Sequence, residues 1–490
     1  MSYPFMLPEL VTIDPVTGRV HTRFTRRLFP PRNIINTVPR EILAEIFLGL
    51  LEDDDVDLHH SIRPLVSRAC HSDPLILGRV CSYWRNVALD TPQLWSRICI
   101  LKPQRSQVRL THLWLERAHV CPLDISIWES DEEECDRSAL QDIMTLFFAR
   151  REYWRKFSFT LQVQALKLLA PIMQYSPSIN LLQSATLRVF GEKDANESES
   201  DNILDNIWKA IHSCKSLRFV DWRSAYNAKY PEHCPWNKLT GLTLSSTLSF
   251  DRILDVLSLS PQLKFLRARS LTSRFSEHCN TPSNLPPITH TCLETLYITS
   301  AQETGPLFRR ISLPALRVLK ICHKFYDDVK RNMINFHEFF LRSNSFHEFF
   351  LRSDPRELTT FELDDLSLNE VDLCKYLKCP GLQNLLHFTV HCNNITDRVI
   401  QQLAKIGKDG SRQSLPSLRV LQIGCDSLQT TDGVLSHMVA SRISPINKAE
   451  RLKKVNLWTM NIGPIDKLAF SDMFSYRRGL EGSITADVYG

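Results

Sequence analysis
Among the side chains able to bind a metal ion or act as nucleophiles are adjacent pairs such as His233–Cys234, His278–Cys279, Cys322–His323 and His391–Cys392. Thiolate and imidazole suit zinc-like ions, but a cage needs several of them aimed at one centre. On a strand, neighbouring side chains point to opposite faces, so each pair divides rather than chelates. The plainer reading is a semi-buried cysteine beside a surface histidine. No spacing in the chain builds a phosphate cradle, a dinucleotide turn, a nucleophile elbow or an HExxH helix. No CxxC pair occurs among the fourteen cysteines. These patterns predict no catalytic residue, no metal and no cofactor, with an enzyme hidden in the C-terminal region kept as a remote option.

Composition narrows the classes further. Hydrophobic residues are 43% and charged residues 23% of 490 positions, values of a folded chain. That length exceeds what one core organises, so two or more domains are expected. A net charge of +5 gives no case for nucleic-acid binding, which calls for a concentrated basic face. No apolar run reaches the ~20 residues of a membrane-spanning helix. The start, MSYPFMLPELVTIDP, lacks the basic-then-apolar order of a secretory signal. Scattered cysteines without such a signal suit reduced thiols in the cytoplasm or nucleus.

Residues 1–34 read as a flexible basic segment with Arg19, Arg23, Arg26, Arg27 and Arg32. A solvated arm, a nuclear import signal and a contact for an acidic partner all fit it. In INTVPREILAEIFLGLL, Pro39 stands where a helix loses nothing by its missing N–H. Ile42, Leu43, Ile46, Phe47, Leu50 and Leu51 follow as one wide apolar helix face. The acidic stretch at 51–74 reads as an inserted loop with a short helical piece near Pro64–Ala69. A helix is then expected from Leu75 to Leu89, broken at Thr91–Pro92, with Leu94, Trp95, Ile98 and Ile100 resuming the apolar pattern. These stretches make a helical docking module over 35–100. Residues 101–150 follow as a linker helix (QVRLTHLWLERAH) and a first strand, where Leu123, Ile125 and Ile127 alternate. The run DEEECD after it reads as a solvated loop.

From 151 to 490 a pattern recurs: Leu-x-x-apolar-x-apolar. It starts at Leu217, Leu239, Leu263, Leu293, Leu316, Leu358, Leu385, Leu418 and Leu452, with a weaker copy at Leu182. Many copies follow a helix-like stretch and a Pro- or Ser-containing turn, as in SLPALRVLKI and SLPSLRVLQI. The physical reading is an irregular leucine-rich-repeat-like α/β solenoid, each unit giving a strand and a return helix and stacking because it cannot bury its apolar side alone. The competing reading is an ordinary α/β domain whose strands share the pattern. In the solenoid register the non-leucine strand positions form an open surface for a protein partner. They are Asp221, Arg223, Arg267, Arg269, Tyr297, Lys320, Glu362, Asp364, His391, Asn456 and Trp458. A one-residue slip would turn them the other way.

The octapeptide FHEFFLRS occurs at 336–343 and again at 346–353, inside the widest interval between copies. A tandem duplication and a gene-model or splicing artefact both explain it. The second copy is expected to extend a helix or bulge as a loop without adding a strand.

The N-terminal stretches resemble an F-box of the divergent form common in fungal F-box families. The signature, LPxEIL-xx-IF-xx-L followed after a loop by VC-xx-W-xx-VA-xx-TPxLW, is met here by Val38, Pro39, Glu41, Ile42, Leu43, Ile46, Phe47 and Leu50. Val80, Cys81, Trp84, Val87, Ala88, Thr91, Pro92, Leu94 and Trp95 meet its second half. Val38 replaces the usual leucine, and the loop at 51–74 is long for such a module. The resemblance implies a non-catalytic substrate-recruiting subunit of a cullin-type (SCF) ubiquitin ligase. A Skp-type adaptor and cullin scaffold would sit on the F-box, and an unknown protein substrate on the repeats. By position it implies Val38, Pro39, Ile42, Ile46, Leu77, Val80 and Trp84 on the adaptor side. Phe47, Leu50 and Trp95 are read as internal packing, and Trp84 fits either role. The alternative is an F-box scaffold that binds partners without directing ubiquitin transfer.

Overall fold
Parallel strands cannot be joined by tight turns, so each must be followed by a crossover. In the computed structural model of the chain, the recurring segments and their crossovers form one 14-stranded sheet whose spatial order is its sequence order. Residues 10–13, 20–23, 38–52, 74–130, 135–175, 179–191, 197–224, 233–244, 249–271, 286–300, 304–323, 343–365, 368, 370–405, 413–443, 452–459, 462–476 and 481–485 are described. Within this sheet the strands are β1 (Arg97–Leu101), β2 (Leu123–Trp128), β3 (Trp154–Gln162), β4 (Ser184–Phe190), β5 (Phe219–Ser224), β6 (Gly241–Leu244) and β7 (Phe265–Leu271). They continue as β8 (Thr295–Ser300), β9 (Val318–His323), β10 (Thr360–Asp364), β11 (His387–Thr396), β12 (Val420–Gln429), β13 (Lys454–Thr459) and β14 (Glu481–Thr485). Every neighbouring pair is parallel.

Three helices precede the sheet: α1 (Arg40–Glu52), α2 (Pro74–Val80) and α3 (Ser82–Leu89). The returns between strands include α4 (Arg105–Ala118), α5 (Arg137–Phe148), α6 (Ala170–Tyr175), α7 (Glu197–His212), α8 (Phe250–Leu259) and α9 (Gly305–Arg310). The rest are α10 (Ser343–Ser353), α11 (Glu370–Leu377), α12 (Asp397–Ala404), α13 (Val434–Ile443) and α14 (Pro464–Tyr476). A helical module followed by an α/β solenoid is the architecture the sequence pattern predicts.

The leucine that opens each copy explains why the unit repeats. Leu182, Leu217, Leu239, Leu263, Leu293, Leu316, Leu358, Leu385, Leu418 and Leu452 are all fully buried. Several of them, including Leu217, Leu316 and Leu418, donate their N–H to the carbonyl three residues earlier at 3.3–3.4 Å, which closes a tight turn before the strand. The following residue then opens the ladder to the previous unit: Arg218 to Gln183, Arg317 to Glu294, Thr359 to Arg317 and Lys453 to Arg419, at 2.7–2.9 Å. Beyond the anchor, burial alternates along the strands, so one face of the sheet is packed and the other open.

Two arginines fasten successive return helices. Arg352, near the end of α10, donates to the Phe308 and Ile311 carbonyls at the end of α9 (2.6 and 2.8 Å). Arg442, near the end of α13 and fully buried, donates to Leu403, Ser414 and Leu415 carbonyls at 2.6–3.1 Å. In each case a cation meets a carbonyl that a helix end leaves without an internal partner, Phe308 of α9 and Leu403 of α12.

Several expectations change. The second FHEFFLRS copy is itself most of α10, with Phe346, Phe349 and Phe350 buried, and adds no strand. The first copy lies outside the described residues up to Arg342, as do the insert at 53–73 and residues 131–134. The expected single helix over 75–89 is two helices. Cys81 is extended between them (φ −159, ψ 172), and its Sγ accepts the Trp84 N–H at 3.4 Å, so it caps α3. Ile98 and Ile100 belong to β1, so the sheet starts within the segment assigned to the docking module. In the basic N-terminal segment, Leu10–Ile13 and Val20–Arg23 pair antiparallel, an order its composition does not announce.

Candidate docking surfaces
The helical module is assembled around two aromatic residues. Phe47 on α1 is fully enclosed, and its ring meets Trp84 of α3 with centroids 4.9 Å apart. Trp95, also enclosed, donates its Nε1–H to the Ala88 carbonyl at 2.8 Å and meets Trp114 of α4 edge-on at 5.2 Å. The Arg117 guanidinium lies 4.3 Å from the Trp95 ring. The start of α1 is tied to α3 twice: Tyr83 donates its hydroxyl to the Val38 carbonyl at 2.6 Å, and Arg40 pairs with Asp90 at 3.0 Å. Thr91 donates to the Val87 carbonyl at 2.7 Å, closing α3 before Pro92.

This packing splits the apolar face of α1. Leu43 and Phe47 turn inward, whereas Ile42, Ile46 and Leu50 stay 54%, 50% and 56% exposed. Leu50 is therefore not internal packing; the helix turns it out one turn beyond Ile46. On α2, Leu75 and Ile76 are exposed and Val80 is 56% exposed. Pro39 is exposed as well. Val38, Leu77 and Trp84 are half-buried against the core, so truncating them would disturb packing as well as any contact. The Trp84 indole nitrogen is enclosed with no hydrogen-bond partner among the described residues. Leu50, Leu75, Ile76 and Leu89 are exposed aliphatic residues of these helices beyond those expected on the adaptor side. The signal for Leu50 was its i, i+4, i+8 spacing from Ile42 and Ile46.

The second surface is the open face of the sheet, and pairing register orders it into rows. One row runs Asp221, Thr243, Arg267, Tyr297, Lys320, Glu362, Thr389, Gln422 and Asn456. The Arg267 guanidinium and Lys320 ammonium lie 5.3 and 5.0 Å from the Tyr297 ring centroid, and Lys320 pairs with Glu362 at 2.9 Å. Thr389 donates to Gln422 at 2.9 Å. The next row runs Cys322, Asp364, His391, Gly424 and Trp458. Cys322 donates its thiol proton to Asp364 at 3.2 Å, and His391 Nδ1 stands 3.9 Å from the other carboxylate oxygen. Cys322 and Gly424 are the members of this row that the sequence reading left out; a glycine inside a strand is the signal for close approach by a neighbour.

Eleven positions were expected on this face, and the structure separates them. Asp221 and Asn456 lie in the row but are buried, because register decides which side a residue takes and not how far its neighbours cover it. Arg269 sits where the pairing of β7 with β8 shifts register, so it joins no row. Arg223 pairs by backbone with Arg188, and its side chain lies outside the description. The other seven are half-buried. Beside them His387 is held below its usual pKa by burial first, with Arg419 and Lys320 adding to it against the opposing pull of Glu362.

Two of the paired thiols and imidazoles divide as strand geometry requires, whereas His233–Cys234 lies in a turn and not on a strand, with His233 exposed and Cys234 buried. Cys322 and His391 are on the open side, while His323 and Cys392 are buried on the other. His278–Cys279 lies outside the described residues. Among the described residues no group of three or more His, Cys, Asp or Glu is placed to hold a metal ion, and no helix is long and apolar enough to cross a membrane.

No curated protein matches the chain. Among solved structures, a Bacteroides fragilis protein is similar at 12% identity, over 67% of this chain and 73% of that one, with a TM-score of 0.31, too distant to carry an argument. The family model described as F-box-like matches residues 35–101. The helices that leave Ile42, Ile46, Leu50 and Val80 uncovered thus make up an F-box-like domain.

Proposed function
We propose that this protein is a substrate-recruiting subunit of a cullin-type (SCF) ubiquitin ligase. The F-box-like domain docks on a Skp-type adaptor, and the open face of the repeats holds a protein substrate. The observation that carries this reading is the row of uncovered aliphatic side chains on α1, inside the F-box-like match. Exposed apolar groups so concentrated mark an interaction site. Ubiquitin transfer belongs to the partners on this reading, and the chain contributes recognition only.

Co-purification of the full-length protein with the adaptor and a cullin tests it. Ile42→Asp/Ile46→Asp should abolish recovery of both partners while lowering the melting temperature only modestly and keeping a cooperative transition, because both side chains are already half in water. Equal adaptor recovery by the variant and the wild type would refute docking through α1. Recovery of adaptor without cullin would favour a scaffold that binds partners without directing ubiquitin transfer.

A further inference from the structure
The open face carries its charge unevenly. Glu362 is neutralised by Lys320 at 2.9 Å. Asp364, one row away and with a side chain 44% exposed, meets instead a thiol at 3.2 Å and an imidazole nitrogen at 3.9 Å. Neither of these partners is a lysine or an arginine. Along its row stand His391, Gly424 and Trp458. A Cβ on residue 424 would lie 2.4 Å from His391 Cδ2. The glycine therefore lets the imidazole lie over the backbone of β12 and reach the Trp458 indole, with centroids 5.3 Å apart and planes at 86°. The result is a half-buried aromatic shelf across three strands that begins at an exposed carboxylate. The adjoining Thr389 and Gln422 are neutral and bonded to each other.

A carboxylate beside aromatic surface attracts a cation twice, through its charge and through the ring quadrupole. Such complementarity sets partner choice more than affinity. We propose that Asp364, His391, Gly424 and Trp458 receive a lysine or arginine side chain of a protein segment laid across β10–β13. A basic residue is then a specificity element of the solenoid's partner. This rests on the reading that the repeats hold the second partner, and it names the chemistry of that partner.

The test uses the full-length protein with its adaptor and three fluorescein-labelled dodecapeptides, identical except for a central Arg, Leu or Glu. Fluorescence anisotropy should give the Arg peptide about tenfold tighter binding than the Glu peptide, equivalent to about 1.4 kcal/mol. Asp364→Asn should remove that preference. Gly424→Ala, which displaces the imidazole, should weaken the Arg peptide by about tenfold. Melting temperature and adaptor recovery are read on the same preparations. Equal binding of the three peptides, preference for Glu, no binding up to about 1 mM, or a preference that survives Asp364→Asn would each overturn the proposal. Adaptor recovery retained in those cases would leave the F-box reading standing, whereas loss of wild-type adaptor binding would sink that reading instead.

Discussion

Ile46 and Phe47 are consecutive residues of α1 with opposite surroundings, and truncating each to alanine separates docking from folding. Phe47 is fully enclosed and supports the Trp84 ring at 4.9 Å. Removing its ring leaves a cavity, and Phe47→Ala should cost about 3–5 kcal/mol of stability. Ile46 is 50% exposed, so Ile46→Ala should cost only about 1 kcal/mol of stability, for the half of the side chain already covered. An isoleucine side chain gains about 1.5–3 kcal/mol on full burial. Roughly half of that remains to be gained on docking, so Ile46→Ala should weaken adaptor binding by about 1 kcal/mol, near fivefold in Kd. Ile42 is its i, i+4 neighbour with similar exposure, and the double variant should approach thirtyfold if the two act independently. Guanidinium unfolding and calorimetric titration with the adaptor read the two quantities separately. A fall in stability for Ile46→Ala as large as that for Phe47→Ala, or an unchanged Kd in the double variant, would refute the division of α1 into an inner and an outer stripe.

Stability should also report on the solenoid. Burial beside Trp208 and Trp222, with His233 adding to it, pushes His212 down to about 4. The unfolded chain takes up this proton nearer pH 6.5. Stability present above that value should therefore fall as pH drops toward 4, by about 3 kcal/mol in all; His212→Phe should flatten this part of a pH–stability curve, and an unchanged slope would count against the burial. Arg442→Met should cost about 3–5 kcal/mol by leaving the Leu403, Ser414 and Leu415 carbonyls without its guanidinium; unfolding curves that overlay the wild type would show that the desolvation of the cation outweighs its bonds. Phe349→Ala should destabilise by about 3–5 kcal/mol, whereas an effect near zero would mean that the second octapeptide does not form α10.

The repeats were legible because two constraints coincide in six residues: a buried leucine that closes a turn, and alternation that packs one face of a strand. Where another residue takes the leucine's place the pattern hides. Trp154-x-x-Phe157-x-Phe159 leads β3, and Trp95-x-x-Ile98-x-Ile100 leads β1, each with the tryptophan fully buried at the anchor. The requirement is a large apolar group, so a search for leucine misses both units. The break at Cys81 was not legible because a cysteine sulfur is not among the usual helix-capping acceptors. On α1, periodicity gave a wide apolar face but could not divide it, since Leu43 and Ile42 differ only in what lies opposite them. On the open face, Asp364, His391 and Trp458 were readable from register, while the role of Gly424 needed the ring that lies over it.

Trp95 closes the F-box-like domain and at the same time anchors the first strand of the sheet. One side chain thus belongs to two modules, and Arg97 begins β1 two residues later. Many two-part receptors join their halves by a tether that lets the cargo swing. Here the joint is a welded corner, with the Ala88 carbonyl, Trp114 and Arg117 gripping the same indole. On the proposed function, the distance and bearing from adaptor to cargo are then built into the chain. Which lysines of a bound substrate come within reach of the transferring enzyme would be chosen by this fixed bearing, and only the substrate's own flexibility could widen the choice.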